Sequence, residues 1–361
     1  MSTTYSPAEV FAPGEYLRDE LDERGWTVTE FAEILGRPIQ AISEILNGKK
    51  EITAETAVDL ATALGTSPEL WLNLQNVYRL HQVRSAERDL SPVARRSRLR
   101  AFGPIREMQN RGWLSDTADL DLLERDVASL FGVMSLDDQP ALAFAAKRAN
   151  ADEPITPTQS AWLAYIKRVA GKRRASTLDL PLLASFASAL PRRLSGGPSD
   201  LTGLADDLAD HGVVLVVEPG LKGSKLDGAA LFTDRGTAVV GLTARYDRFD
   251  MFVFTLLHEL AHLILGHVTS SGGALVDEDV GSGAVVSGVE RAANDSAADW
   301  IFPGGFVPPK PVSTPSIARH ATNYGVHPSL VIGRLQRDGL LEWSQLRNHV
   351  PKVKPYLEAV G

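Results

Sequence analysis

His258, Glu259 and His262 stand in the run DMFVFTLLHELAHLILGHV over 250–268, which is otherwise almost wholly apolar. A helix apolar on nearly all faces is a buried one. Residues four apart share a helical face, so the two imidazoles converge on one ion. Glu259, one step on, projects beside it as a general base for an attacking water. Titratable groups in an apolar helix need a partner, and a zinc ion supplies one. The chain has no Cys, so any metal is held by His, Asp and Glu. A catalytic zinc takes three protein ligands and keeps one position open. A motif extended by a third His needs Gly at 265 and His at 268, where this chain has Leu265 and Val268; Gly266 and His267 are out of register. The remaining choice is a Glu from a downstream helix. Glu290 opens one, VERAANDSAADWIFP, after a Gly/Ser-rich loop over 269–288, with Asn294 one turn on to orient a ligand. Asp277, Glu278 and Asp279 in that loop are the alternative ligands. The competing readings are a solvated loop for those three acids and core histidines in a chance motif for His258 and His262.

Several elements must position this helix. Short apolar runs at 213–217, 229–233 and 237–242 predict a small sheet after a helix over 199–211. Between about 80 and 205 helical patterns at 93–111, 119–131, 158–170 and 178–190 are punctuated by Pro154, Pro157, Pro181, Pro191 and Ser195-Gly196-Gly197-Pro198. The first 80 residues read as five short helices. The second stops at Gly36, and the third runs from Arg37-Pro38 to Asn47-Gly48-Lys49-Lys50, the layout of a helix-turn-helix. Helices at 316–324 and 328–337 form a C-terminal tail in which Gly333-Arg334-Leu335-Gln336 has no evident role beyond packing.

Two resemblances become specific at this point. Leu35-Gly36, the run Ser43 to Lys50 and the run Ala63 to Gln75 resemble the Xre/HigA family of antitoxins and repressors. That resemblance implies a third helix presenting Arg37, Gln40 and Ser43 to the major groove, with Lys49 and Lys50 near the DNA backbone. Ile39 stands where many relatives carry a polar or basic reader. The segments Arg245 to Phe249 and Phe254 to His262, then Glu290, Ala293, Asn294, Ala297 and Pro303, resemble the ImmA/IrrE family of metallopeptidases over about residues 200–305. That family implies zinc held by His258, His262 and Glu290, with Glu259 catalytic. Many members read Glu-x-Glu-Ala-Asn, and this chain has Ala292 at the second acidic position.

The expected fold is α+β and mostly helical. It divides into an all-α helix-turn-helix domain over 1–82, a helical connector with a basic segment over 83–198, a zincin-like domain with a small sheet over 199–305, and a tail over 306–361. For a peptidase, the strand at 229–233 would be the edge receiving an extended peptide, and His267, Tyr246 and His327 are the candidate oxyanion donors.

Charge is uneven. Residues 1–78 hold 13 Asp/Glu against 5 Lys/Arg, whereas residues 79–111 hold 9 Arg against 3 acids, within a chain of net charge −8. Arg84, Arg88, Arg95, Arg96, Arg98, Arg100 and Arg106 are thus the first place to look for an anionic partner, the competing reading being a solvated helix pairing with Glu87, Asp89 and Glu107. No stretch approaches the roughly 18 uncharged residues of a membrane span, and no secretory signal is visible, so a cytoplasmic location without a membrane partner is expected.

By resemblance, the partners are an operator in double-stranded DNA and a repressor or antitoxin substrate, with a homodimer as the binding form. The alternative reading is a HigA-like autorepressor that neutralises a ribonuclease toxin by binding, its zincin-like domain non-catalytic or sensory. A third makes the acidic helix-turn-helix a protein-docking module, since phosphate neutralisation drives most DNA affinity.

Overall fold

Polar caps and glycine stops divide residues 13–86 into five helices: α1 (Pro13–Arg24), α2 (Val28–Leu35), α3 (Ile39–Leu46), α4 (Ala54–Leu64) and α5 (Pro68–Ala86). At the start of α2 the Thr27 hydroxyl accepts from the Glu30 amide, while the Glu30 carboxylate accepts from the Thr27 amide at 2.8 Å, a reciprocal cap. Gly36 ends α2 at φ 62°. A Cβ disfavours that conformation, and the turn it makes delivers the chain into α3 within three residues. One apolar face of each helix then meets the others, burying Leu17, Leu21, Phe31, Ile42, Ile45, Leu60 and Trp71. Each such side chain is worth about 1.5–3 kcal/mol of transfer free energy.

The computed structural model describes residues 10–86, 91–137, 147–148, 155–269, 275–278 and 288–359. They fall into two compact units, Met1–Ala94 and Arg95–Gly361. Among the described residues, no helix is long and apolar enough to cross a membrane.

The second unit is built on a mixed sheet. Its strands are β1 (Lys147–Arg148), β2 (Val213–Val217), β3 (Leu226–Phe232), β4 (Ala238–Leu242) and β5 (Leu275–Glu278), in the order β1-β5-β3-β4-β2 among the described residues. β3 is antiparallel to β4 and β5; β2 runs parallel to β4, and β1 to β5. Its helices are α6 (Pro92–Phe102), α7 (Ile105–Asn110), α8 (Leu120–Phe131), α9 (Pro157–Ala170), α10 (Leu180–Arg193), α11 (Leu204–Asp210), α12 (Phe249–Ile264), α13 (Gly288–Ile301), α14 (Thr314–Tyr324) and α15 (Pro328–Arg337). Alternate strand residues serve two cores. Val213, Leu215, Ala230, Val240 and Leu242 pack with α12 on one face, and Val214, Val216, Ala229, Leu231 and Val239 pack with α9 on the other. Burial on both faces explains why β2 and β4 read as unbroken apolar runs rather than as alternating ones.

The structure differs from the sequence-based division in four respects. The segment expected as a separate connector is part of the sheet unit: β1 joins the sheet, and Trp162 on α9 is fully buried, its indole N–H donating to the Glu218 carbonyl at 3.0 Å. The tail is equally integral. The Phe249 amide donates to the Pro351 carbonyl, the Asp247 carboxylate accepts from the amides of Val353 and Lys354, and Arg248 bridges Asp250 and Gln336 at the start of α12. Next, the pattern at 93–111 is two helices broken at Gly103-Pro104, and 199–211 splits at Gly203 into a 3₁₀ turn and α11. Finally, residues 275–278 of the expected loop are strand β5. It covers Leu226 to Ala230 of β3, so the strand expected as a peptide-receiving edge is interior there.

His327 caps α15, its Nδ1 accepting from the Ser329 amide at 3.1 Å, which requires an unprotonated nitrogen. Burial pulls its pKa below the ordinary 6.5, against the opposing charges of Asp200 and Asp250. The unfolded chain therefore takes up this proton first as pH falls. The stability contributed by neutral His327 is intact above pH 6.5 and is lost below it. Thermal unfolding compared at about pH 7.5 and about pH 5.5 should show a larger fall for the parent than for His327→Asn, which keeps the cap without the titration. Equal falls would remove His327 from the pH response.

Candidate metal centre and candidate nucleic-acid interface

α12 and α13 pack side by side across the sheet face, and their facing residues include His258, His262 and Glu290. Both imidazoles are fully buried, and Glu290 retains 3% exposure. Their donor atoms converge. His258 Nε2 lies 3.0 Å from His262 Nε2; the Glu290 oxygens lie 3.3 Å from His258 Nε2 and 3.2 Å from His262 Nε2. Burial pushes the Glu290 carboxyl up, but the hydrogen bonds and charges of His258 and His262 outweigh it and hold the group down to about 2. An ionised carboxylate thus faces two ring nitrogens inside the protein.

This donor set fits zinc. Ligands at about 2.0–2.1 Å in a tetrahedron stand about 3.3–3.4 Å from one another, close to the three separations observed. Two imidazoles and a carboxylate are a recognised catalytic zinc set that leaves a fourth position open.

Glu259 is fully buried, and Gly228 on β3 makes room for it. A Cβ at 228 would stand 3.0 Å from both Cδ and Cγ of Glu259. β3 also departs from regular register against β5 between Leu226 and Gly228. Gly228→Ala should therefore displace the Glu259 carboxylate without touching the three converging donors. We expect unchanged zinc content and peptide hydrolysis reduced about a hundredfold, the scale of a 1 Å misplacement. Metal analysis alongside the hydrolysis rate checks this, and loss of zinc in this variant would contradict it.

His267 lies behind His262, Nδ1 to Nδ1 at 3.0 Å. Burial and the neighbouring His262 lower its pKa, keeping it neutral. With His262 Nε2 turned to the centre, the outer Nδ1–H of His262 donates to His267, which fixes the ring's tautomer and orientation. His267 thus supports His262 and is not placed as an oxyanion donor; the local sequence signal for the contact is a His five positions after His262. Asn294 lies on α13 one turn after Glu290, and its buried Oδ1 has no hydrogen-bond partner among the described residues. The other two oxyanion candidates are engaged elsewhere, Tyr246 beneath the Arg245 guanidinium and His327 as the α15 cap. The side chains of Asp277, Glu278 and Asp279 lie outside the described residues.

In the first unit, α3 buries Ile42, Ile45 and Leu46, turns Gln40 and Ile39 outward and leaves Ser43 half-buried; Ile39 is 50% exposed. Gln40 donates to Glu44 at 3.2 Å along the helix, and Lys49 and Lys50 are exposed beyond its end. Arg37 is placed differently from a groove reader. Its Nε and Nη2 both donate to Asp59 of α4, at 3.1 and 2.6 Å. Its donors tie the turn between α2 and α3 to α4. The acid that holds them is 22 positions away, so nothing near Arg37 in the sequence signals the pair.

A helix, a glycine turn and a second helix presenting an outward polar face define a helix-turn-helix domain. Residues 17–71 match the helix-turn-helix family model. Over 68 residues the chain is 38% identical to the HTH-type transcriptional regulator YddM of Escherichia coli, covering 19% of this chain and 72% of that protein. It is 40% identical to antitoxin HigA-1 of Vibrio cholerae over 73 residues, covering 20% of this chain and 69% of the relative. Among solved structures, the antitoxin HigA of Pseudomonas aeruginosa with the higBA promoter is 30% identical, covering 23% of this chain and 98% of the other at TM-score 0.22. Through its N-terminal unit the chain belongs to the helix-turn-helix family of transcriptional regulators and HigA-like antitoxins.

Proposed function

We propose that this chain is an operator-binding regulator whose second unit is a zinc-dependent endopeptidase acting on a repressor or antitoxin protein. The observation that carries the reading is the buried convergence of His258, His262 and Glu290 beside Glu259. His258 Nε2, His262 Nε2 and Glu290 would hold the ion. When bound, zinc supplies Lewis acidity toward a carbonyl oxygen and toward water. Glu259 takes a proton from the attacking water onto its carboxylate and passes it to the leaving amine as the C–N bond breaks. His267 holds the His262 ring, and Gly228, lacking a Cβ, lets the Glu259 carboxylate lie against the β3 backbone. The resemblance to ImmA/IrrE metallopeptidases supports the same assignment. The helix-turn-helix unit binds its operator as a homodimer, with α3 of each copy in the major groove.

The likeness to antitoxin HigA-1 favours one other reading, an autorepressor that neutralises a toxin by binding while its metal unit does no chemistry. An operator-driven reporter separates the two. Under the peptidase reading, Glu259→Gln leaves repression intact and abolishes its release. A Glu259→Gln strain induced as readily as the parent would transfer the function to the antitoxin reading.

A further inference from the structure

Arg96 and Arg100 stand one turn apart on α6 and line a groove of about 880 Å³, part of it open to solvent. Leu99, Ile105 and Leu123 are apolar residues of its lining, which also includes Arg106. Like charges four apart destabilise the helix that carries them, and the acids nearby are committed to other groups. Arg95 pairs with Asp121 and Glu124, Arg98 with Asp137, and Arg106 with Asp116. Glu107, the acid within the groove, pairs with Arg111 at 2.7 Å and accepts from the Lys222 amide. Glu107 is thus met by Arg111 of the same segment and not by Arg96, Arg100 or Arg106 among the described residues, and Arg84, Arg88, Glu87 and Asp89 lie outside the described side chains. No ion pair joins Arg96 or Arg100 to an acid among the described residues.

Among the described residues, the groove therefore offers two guanidinium groups with no ion-paired acid beside an apolar lining. A DNA phosphate backbone would neutralise the cations and leave the apolar lining uncovered, because phosphate contacts bring no apolar surface. A peptide with carboxylates and aliphatic side chains covers both, in the manner of an interface with an apolar centre and a charged rim. We propose that this groove binds an acidic, aliphatic peptide segment of a protein partner, its carboxylates on Arg96 and Arg100 and its aliphatic anchors over Leu99, Ile105 and Leu123. The inference does not depend on the peptidase reading, since the groove contains none of the metal-centre residues.

Fluorescence anisotropy on the full chain tests it, with a labelled short peptide of alternating glutamate and leucine pairs in about 0.15 M salt. The parent and the Glu259→Gln protein should bind alike. Arg96→Gln/Arg100→Gln should bind about tenfold or more weakly, and Arg96→Lys/Arg100→Lys should recover part of the affinity. Replacing the leucines by serine should weaken binding comparably. An unchanged thermal midpoint in the Gln variant excludes misfolding as the cause. Absence of peptide binding to the parent would overturn the proposal, as would equal binding by the Gln variant or by the serine peptide. If the Gln variant instead weakens binding of duplex DNA and leaves the peptide unaffected, the cations serve nucleic acid and the proposal also falls.

Discussion

Protein carrying His262→Ala is expected to hold no zinc where the parent holds about one per chain, whereas Glu259→Gln should keep the metal and lose about a hundred- to ten-thousand-fold in peptide hydrolysis. The contrast follows from geometry. His262 Nε2 lies within 3.0–3.2 Å of both other donor atoms, so its removal leaves two ligands in a site that needs three. Glu259 is not among the three converging residues, and the change to Gln removes its basicity while keeping its shape. His267→Ala should lie between them. It removes the group that orients His262 and should weaken zinc affinity about ten- to a hundredfold. Metal analysis of protein purified without chelators, with competition by a chromophoric chelator, measures all three. Parent protein that takes up no zinc when the ion is supplied would refute the metal centre, and Glu259→Gln protein with parental hydrolysis would refute the role of that carboxylate.

The second large effect is expected on DNA. Gln40→Ala/Ser43→Ala should relax operator preference, because Gln40 projects outward from α3 with half-buried Ser43 one turn on, and a good base contact is worth about 1–3 kcal/mol of discrimination. Lys49→Ala should weaken binding to all sequences alike and lower the salt slope by about 1, the signature of a lost phosphate contact. Arg37→Ala should behave unlike either. It breaks both hydrogen bonds to Asp59 Oδ2, so its expected consequence is a lower unfolding midpoint for the first unit, with preference among operators preserved. Asp59→Ala should reproduce that loss of stability. Binding curves on the operator and on unrelated duplex at several salt concentrations, alongside thermal unfolding, distinguish the three outcomes. Unchanged preference in the Gln40/Ser43 double variant would reject this face of α3 as the reader.

The local features of this chain were open to reading because they are set by local physics. A spacing of four puts His258 and His262 on one face of any helix, and an unbroken apolar surround marks that helix as buried, whatever packs on it. Glycine after an apolar period ends α2, and a Thr three residues before a Glu begins it. Expectations failed where a partner distant in sequence decided the outcome. The Gly/Ser-rich stretch after α12 contributes strand β5 because β3 offers it an unpaired edge, and the same pairing takes that edge away from any peptide. α9 carries no chemical motif, yet it covers one face of the sheet.

The pair His258 and His262, Glu259 beside them and the helix-turn-helix layout are all readable from composition and period, since each lies within one element or two adjacent ones. Whether Glu290 reaches the two histidines depends on how α13 packs against α12. Arg37 is held by Asp59 rather than left facing outward because α4 lies against α2. Among the described residues Arg96 and Arg100 meet no acid, those near them bonding to Arg95, Arg98, Arg106 and Arg111. Each of these outcomes turns on a contact between elements far apart in the chain, and a side chain's spacing within its own helix does not determine which distant group it will meet.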